Sequence, residues 1–141
     1  MQNAVSGVMG TPRVRPDARA KAQGSAVYAG DVRVEGALCG ILVRSPHPFA
    51  QIKRVDVRRA ASVPGVACIV WSENVPRKPL DFGIKDQHLF AVDYARYAGE
   101  PVAAIAAESE DAARTAAAAV EIEYEPLMPV LTIDDALDPD G

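Results

Sequence analysis

Residues 101–126 read PVAAIAAESEDAARTAAAAVEIEYEP, and this stretch predicts a strand, a capped helix and a second strand in succession. Residues 101–108 form a short apolar run, which is typical of a buried strand. Ser109 stands at the N-cap position of the helix, and the acidic pair after it suits the positive end of a helix. Residues 120–125 alternate between apolar and polar side chains, which indicates a half-exposed strand. The stretch therefore predicts an α/β layer.

The expected helix carries its apolar residues on one face. Alanine has little bulk, so such a helix can lie close to a sheet. The residues that we expect to face the sheet are Ala112, Ala113, Ala116, Ala117 and Val120.

The residues before this stretch predict the rest of the sheet. Residues 37–44 (ALCGILVR) form a strand pattern that stops at Ser45-Pro46-His47-Pro48, because two prolines around one residue do not fit a helix interior or a central strand. Further elements are expected as a strand over 49–57, a short helix over 58–63 that ends at Pro64-Gly65, and a strand over 66–71.

The fold class that follows is α/β (α+β): a small mixed sheet with two helices. Residues 1–36 are rich in glycine and proline, and they predict an extended N-terminal docking segment. Residues 37–133 form the α/β domain, inside which residues 72–99 are expected to be one long irregular loop. Residues 134–141 form an acidic tail.

Composition excludes several classes of protein. The 141 residues are 49% hydrophobic and 24% charged, which is ordinary for one globular domain, and no apolar run is long enough to span a bilayer. The N-terminus shows no secretory signal pattern, which favours the cytoplasm unless a partner carries the export signal. Cys39 and Cys68 lie in apolar stretches, so we expect buried free thiols in preference to a disulfide.

Charge is distributed unevenly along the chain. Residues 1–60 hold 10 Lys and Arg against 4 Asp and Glu, a net of +6, whereas residues 61–141 hold 5 against 15, a net of −10. One interpretation is a stand-alone binding module with a basic N-terminal half that contacts nucleic acid. We favour the other interpretation, that opposite charges hold parts of one assembly together, because no aromatic residues are interleaved with the basic ones.

No motif for catalysis, cofactor binding or metal binding stands out. GVMG near the start is neither a dinucleotide fingerprint nor a P-loop. His47 and His88 lack cysteine partners at zinc-site spacing. Ser45 has no nucleophile elbow around it, so we expect its hydroxyl to bond the backbone of its own turn. We therefore assign no catalytic residue, no cofactor-binding residue and no metal ligand to this chain.

Two short motifs suggest fixed contact points. Arg44 ends an apolar strand and is followed by a rigid proline turn. In Arg96-Tyr97-Ala98-Gly99-Glu100-Pro101, glycine allows an unusual backbone conformation and proline stiffens the entry to the next strand. Glu100 is held between them, either to accept hydrogen bonds from backbone N–H groups of a structural turn or to contact a ligand; we favour the structural turn.

Taken together with other residues in the same order, these motifs resemble the α/β hammerhead module of the large subunit of molybdenum hydroxylases, the xanthine dehydrogenase/aldehyde oxidase family. The resemblance covers roughly residues 13–137. Its motifs are Gly24-x-Ala26-x-Tyr28-x-x-Asp31, Gly36-x-Leu38, Arg44-Ser45-Pro46-His47-x-x-Ala50-x-Ile52, Pro64-Gly65-Val66, Phe82-Gly83 with Asp86-Gln87, Arg96-Tyr97-x-Gly99-Glu100-Pro101-Val102-Ala103, and residues 120–127. Glu35, Ala37 and His88 depart from residues that are common in the family.

The resemblance implies a setting for the chain. Large subunits of this family bind a molybdenum–pterin dinucleotide and pair with an iron–sulfur subunit and usually an FAD subunit. They hydroxylate carbon in purines, aldehydes or N-heteroaromatics with water as the oxygen source. The pterin loops and the catalytic glutamate lie downstream of this module, so the chain is expected to be a non-catalytic component, either one piece of a split large subunit or a fragment.

An interface is expected on two segments, residues 1–36 and 72–99. The second contains aromatic residues, which often anchor a partner because each one buries a large area. Alternatively, Phe82 and Phe90 fold back onto the sheet of this module. The residues that we expect at the interface are Tyr28, Asp31, Arg44, Phe82, Phe90, Gly99 and Glu100, with the two charged residues Arg44 and Glu100 at its rim.

Overall fold

A computed structural model describes residues 13–137, apart from the side chains of residues 81 and 82. The chain divides into two compact units, one on each side of the bond between Glu35 and Gly36. In chain order the helices and strands are α1 (Ala18–Ala22), β1 (Cys39–Arg44), β2 (Ala50–Asp56), α2 (Arg58–Ala61), β3 (Val66–Trp71), β4 (Leu80–Phe82), β5 (Ile84–Gln87), β6 (Tyr94–Ala95), β7 (Pro101–Ala107), α3 (Glu110–Ala118), β8 (Glu121–Pro126) and α4 (Ile133–Leu137).

The first unit contains the short helix α1 and one 3-10 turn at Ala29–Asp31. The prediction of an extended segment over residues 1–36 is wrong at α1, because its sequence ARAKA consists of strong helix formers. An ion pair of 2.6 Å between Lys21 and Asp17, four residues apart, supports the same turn. No residue of α1 is buried.

In the second unit, β7 is the central strand of a three-stranded sheet and pairs antiparallel with β1 and β3. Ile105 of β7 stands opposite Ile41 on one side and Ile69 on the other. The side chains of a row across a sheet share a face, so these isoleucines form one apolar row.

Helices α2 and α3 cover the face of that sheet on which Ile105 lies. The core consists of Ala60, Ile69, Ile105 and Ala116. The predicted N-cap is confirmed, since Ser109 Oγ accepts a hydrogen bond of 3.2 Å from the amide of Ala112. The predicted alanine face is also confirmed: Ala113 and Ala116 are fully buried, which agrees with close approach of the helix to the sheet.

A second three-stranded sheet has β2 at its centre, with β6 and β8 on its two sides, and both pairings are antiparallel. The α/β (α+β) fold class is confirmed, but the predicted single mixed sheet is in fact two antiparallel three-stranded sheets and the antiparallel β4–β5 hairpin. None of the helices within residues 13–137 has the length and apolar character needed to cross a membrane.

The structure corrects the prediction of one irregular loop over residues 72–99. This segment contains the β4–β5 hairpin and the two-residue strand β6. Gly83 has a φ of +104°, a conformation that suits a tight reversal and is open to glycine. All four residues of β5 are exposed, so this strand has no alternation of buried and exposed side chains that a periodicity argument could detect.

Two further predictions need correction. Both cysteines are free, but Cys68 is exposed and Cys39 is only half-buried. Cys68 pairs with Ala106, on the face of the sheet away from α3, so its apolar neighbours along the chain do not bury it. The predicted acidic tail, residues 134–141, begins inside α4, and its last residues, 138–141, lie outside the described part of the chain.

Candidate interface site

The two motifs at the strand ends meet in space. Arg44 Nη1 donates a hydrogen bond of 2.7 Å to the carbonyl oxygen of Gly99. The amide of Ser45 donates to the carbonyl of Glu100 over 2.9 Å, and the amide of Gly99 donates to the carbonyl of Ser45 over 2.8 Å. These bonds continue the β1–β7 pairing past an irregularity between Val43 and Arg44. The ends of β1 and β7 therefore form one fixed corner.

Gly99 makes the corner possible. Its φ is +93°, in the region that side chains with a Cβ rarely adopt. The amide of Glu100 reaches back to the carbonyl of Tyr97 over 3.2 Å and closes the turn. The special conformation that the sequence suggested at Gly99 is therefore a structural requirement of the turn.

Glu100 serves this turn and not a surface. Only 9% of the surface of Glu100 is exposed to solvent. Oε2 accepts a hydrogen bond of 2.5 Å from the amide of Arg96, and Oε1 lies 3.8 Å from the Arg96 guanidinium. The Glu100 carboxylate is thus already used within the module, which argues against its expected role as a charged contact at the rim of an interface. The structural-turn interpretation is the one that the geometry supports.

The proline turn after β1 connects the two sheets. Ser45 is buried, and its Oγ accepts from the amide of His47 over 3.1 Å, as expected for a turn hydroxyl. The His47 ring meets the ring of Tyr124 edge-on, with centroids 4.9 Å apart. Tyr124 belongs to β8 of the second sheet. Burial raises the pKa of its hydroxyl, and the nearby Ser45 side chain offsets part of that rise.

An apolar groove lies beside this corner, and we call it the Tyr97 groove. It has a volume of about 490 Å³. Three stretches form its walls: residues 48–49 of the proline turn, residues 96–98 before Gly99, and residues 128–131 after β8. The two motifs singled out in the sequence therefore supply two of its three walls.

The remaining predicted interface residues differ in how exposed their side chains are. Tyr28 is 56% exposed, and Asp31 is exposed although its carboxylate accepts from the amide of Tyr28 over 2.9 Å. Phe90 is only 5% exposed, so its ring packs inside this module and offers no surface to a partner. The low exposure of Phe90 favours the alternative, in which it folds back onto this module, over the expected anchor. The Phe82 side chain lies outside the described part.

Sequence reasoning missed an exposed apolar run near the C-terminal end of the described chain. It includes Met128, which is 90% exposed, and Leu131, which is 71% exposed. Its other members are Val130, Ile133 and Leu137. The signal was present as the apolar letters LMPVLTI over residues 127–133, which stand outside any strand or helix pattern. Clustered exposed apolar residues indicate a contact surface.

The residues present do not fit an iron–sulfur cluster or a metal ion that is held by side chains. An iron–sulfur cluster is held by four thiolates, and the whole sequence has two cysteines. Within residues 13–137 no group of three or more His, Cys, Asp or Glu side chains is placed to hold a metal ion.

Comparison with known proteins agrees with the fold. Residues 23–128 match the family described as "Aldehyde oxidase and xanthine dehydrogenase, a/b hammerhead domain". The xanthine dehydrogenase/oxidase of Gallus gallus is 36% identical over 135 residues, which are 95% of this chain and 10% of that protein. The aldehyde oxidase 2 of Cavia porcellus is 40% identical over 118 residues, 82% of this chain and 9% of that protein.

Solved structures give the same result. The Cu,Mo-CO dehydrogenase in its carbon monoxide reduced state superposes with a TM-score of 0.85 at 29% identity, over 94% of this chain and 17% of that one. Quinoline 2-oxidoreductase from Pseudomonas putida 86 superposes with a TM-score of 0.82 at 30% identity, over 92% of this chain and 18% of that one. The chain thus spans less than a fifth of each of these proteins. It belongs to the aldehyde oxidase and xanthine dehydrogenase family, in which it corresponds to the α/β hammerhead domain.

Proposed function

We propose that the chain is a non-catalytic structural component of the large subunit of a molybdenum hydroxylase, whether as a separately encoded piece or as a fragment. The observation that carries this proposal is the match of residues 23–128 to the hammerhead domain. The chain's own residues build a rigid corner and an apolar groove, and both suit a role in holding other polypeptides.

The assembly that we propose contains the remainder of the large subunit, an iron–sulfur subunit and an FAD subunit. Its cofactors would be a molybdenum–pterin dinucleotide, iron–sulfur clusters and FAD. We propose that it hydroxylates a purine, aldehyde or N-heteroaromatic carbon with oxygen taken from water; relatives named xanthine dehydrogenase/oxidase, aldehyde oxidase 2 and quinoline 2-oxidoreductase support this range. Free thiols at Cys39 and Cys68 favour a reducing compartment such as the cytoplasm.

The partner surface that we propose includes residues 1–36 and 72–99. Tyr28, Asp31, Arg44 and Gly99 would be its contacts, together with Phe82. Hydrogen exchange on the isolated chain and on the assembly tests this, because a covered backbone amide exchanges more slowly. Equal exchange of both segments in the two samples would remove them from the interface.

The test of the proposed function is a purification from the source cells. A tagged copy of the chain is recovered under mild conditions, and the co-purified polypeptides are identified by mass spectrometry and assayed for molybdenum. We expect a molybdenum-bearing polypeptide at stoichiometric amounts. A chain that recovers only itself, from cells with active molybdenum hydroxylase, would overturn the proposal.

The alternative of a stand-alone binding module finds less support. Many basic side chains of the N-terminal half are neutralised by carboxylates, as in the pairs Lys53–Glu125 and Arg59–Glu121, the latter at 2.7 Å. Such pairs reduce the positive charge that is available to nucleic acid. Gel-shift assays at two salt concentrations distinguish the alternatives, because binding to phosphates weakens steeply with salt. No shift at low salt is expected.

A further inference from the structure

The Tyr97 groove has walls that are fixed within the module. The amide of Leu127 donates to the carbonyl of Phe49 over 3.0 Å, which ties the segment after β8 to the proline turn. The Phe49 ring stacks on the ring of Tyr94, with centroids 6.0 Å apart. A groove whose walls are already ordered loses little conformational entropy when it is filled. The groove is therefore suited to bind a side chain without rearrangement.

The surface of the groove is apolar, yet much of it is exposed. Tyr97 is 49% exposed and Met128 is 90% exposed. Burial of such surface against a partner is favourable in proportion to the apolar area that is removed from water. An apolar side chain of a partner is thus the group that this concavity favours.

One cation stands at the edge of the groove. The Arg96 side chain is 51% exposed, and its guanidinium lies 3.8 Å from Glu100 Oε1, which is too long for a hydrogen bond. Glu100 Oε2 is bound to the backbone amide of the same arginine. A planar guanidinium with exposed N–H donors matches a carboxylate in two-point geometry. The charge complement of the groove is therefore an acidic residue beside the apolar one.

The length of the relatives indicates where such a segment comes from. The chain spans 10% of the xanthine dehydrogenase/oxidase of Gallus gallus and 17% of the Cu,Mo-CO dehydrogenase chain. We propose that the Tyr97 groove receives a segment of the remaining large-subunit polypeptide, which places an apolar side chain in the groove and a carboxylate against Arg96. This inference rests on the proposed function and adds to it the contact surface and the chemistry of the contacting segment.

A site-specific photocrosslinker tests the contact directly. A benzophenone amino acid replaces Met128, and the matched control carries it at Glu123, an exposed residue of β8 outside the groove. The chain is purified with its assembly from source cells, irradiated, and the crosslinked peptide is sequenced. We expect the Met128 position to crosslink a large-subunit peptide that contains an apolar residue next to Asp or Glu, and the Glu123 position not to reach that peptide.

A charge reversal tests the second half of the contact. Arg96→Glu is compared with Lys53→Glu, which reverses an exposed cation of β2 away from the groove. Reversal of a contact charge weakens association strongly, so we expect Arg96→Glu to lower recovery of the large-subunit polypeptide about tenfold or more and Lys53→Glu to leave it unchanged. Thermal melting of both variants confirms that each is folded.

The outcomes separate the two levels of the proposal. Crosslinks from Met128 to a second copy of this chain, or none while the large-subunit polypeptide still co-purifies, would overturn the groove inference alone. If Arg96→Glu recovers as much of the large-subunit polypeptide as the wild-type chain does, the groove inference alone is likewise overturned. A wild-type chain that recovers no large-subunit polypeptide would overturn the proposed function and this inference with it.

Discussion

Arg44 and Gly99 are 55 residues apart in the chain and are joined by a hydrogen bond of 2.7 Å from the guanidinium to the carbonyl oxygen. Arg44 ends β1, and Gly99 precedes β7. The bond fixes the turn that carries one wall of the Tyr97 groove. The stability of the module and the shape of its candidate contact surface therefore depend on the same pair of residues.

Removal of the Arg44 guanidinium should destabilise the module. Arg44→Met keeps most of the apolar stem and removes the donor, so we expect the free energy of unfolding to fall by about 1 kcal/mol. Urea denaturation measures it. Arg33→Met in the N-terminal unit is the control for loss of one charge. A fall of equal size in both variants would show that charge, and not the bond to Gly99, is responsible.

Gly99 should not tolerate a side chain. Its φ of +93° strains any residue with a Cβ, although no heavy atom lies within 4 Å of the position that the Cβ would take. We expect Gly99→Ala to lower the free energy of unfolding by about 1–2 kcal/mol. Gly40→Ala is the matched control, since its surroundings are equally open and its φ is not positive. Equal effects on the denaturation midpoint would contradict the strain argument.

Helix α3 should accept bulk on only one side. Ala116 is 0% exposed and faces the sheet, so Ala116→Leu should overpack the core and lower the free energy of unfolding by about 1–3 kcal/mol. Ala118 is exposed on the same helix, and Ala118→Leu should be nearly neutral. The midpoints of thermal unfolding of the two variants measure this difference. An unchanged midpoint for Ala116→Leu would mean that the helix packs in another register.

The Asp56 carboxyl should remain ionised well into acid. Arg58 donates to it at 2.9 Å from Nε, and Arg54 forms an ion pair of 2.5 Å with it. These cations, Arg58 foremost, hold the pKa of the Asp56 carboxyl well below its usual range. The associated stabilisation is fully present above the usual Asp pKa of about 4 and is lost as pH falls through the lowered pKa.

Replacement of Arg58 tests the cause of that shift. In Arg58→Ala the carboxyl keeps the Arg54 pair and the hydrogen bond of 3.1 Å from the backbone amide of residue 58, so its pKa should rise part of the way toward the usual value. Side-chain NMR titration of Asp56 in the wild-type chain and the variant measures the change. If the pKa of Asp56 is unchanged or lower in the variant, the Arg58 side chain does not stabilise the ionised carboxylate.

Local patterns in the sequence predicted the elements whose cause is local. Ser109 caps α3 because its side chain reaches an amide three residues on, and the alanine face follows from helical spacing. The strand alternation of residues 120–125 also matches β8. These features need no knowledge of the rest of the chain.

Contacts between distant residues determine the features that local sequence patterns could not predict. Phe90 looked like an anchor because it lies in a long loop, yet its burial depends on residues elsewhere in the fold. Glu100 could be assigned to a turn or a contact from sequence, and only the turn geometry decided it. Cys68 was expected to be buried because it lies in an apolar stretch, yet it is exposed. Such a stretch does not reveal which face of an edge strand is covered by the rest of the fold.

Molybdenum content is the most direct test of the central claim, that the chain is a non-catalytic part of a molybdenum hydroxylase. Elemental mass spectrometry is applied to the isolated 141-residue chain and to the assembly recovered with it from source cells. We expect molybdenum in stoichiometric amount in the assembly and none on the isolated chain. Stoichiometric molybdenum on the isolated chain, or an assembly without molybdenum, would contradict the claim.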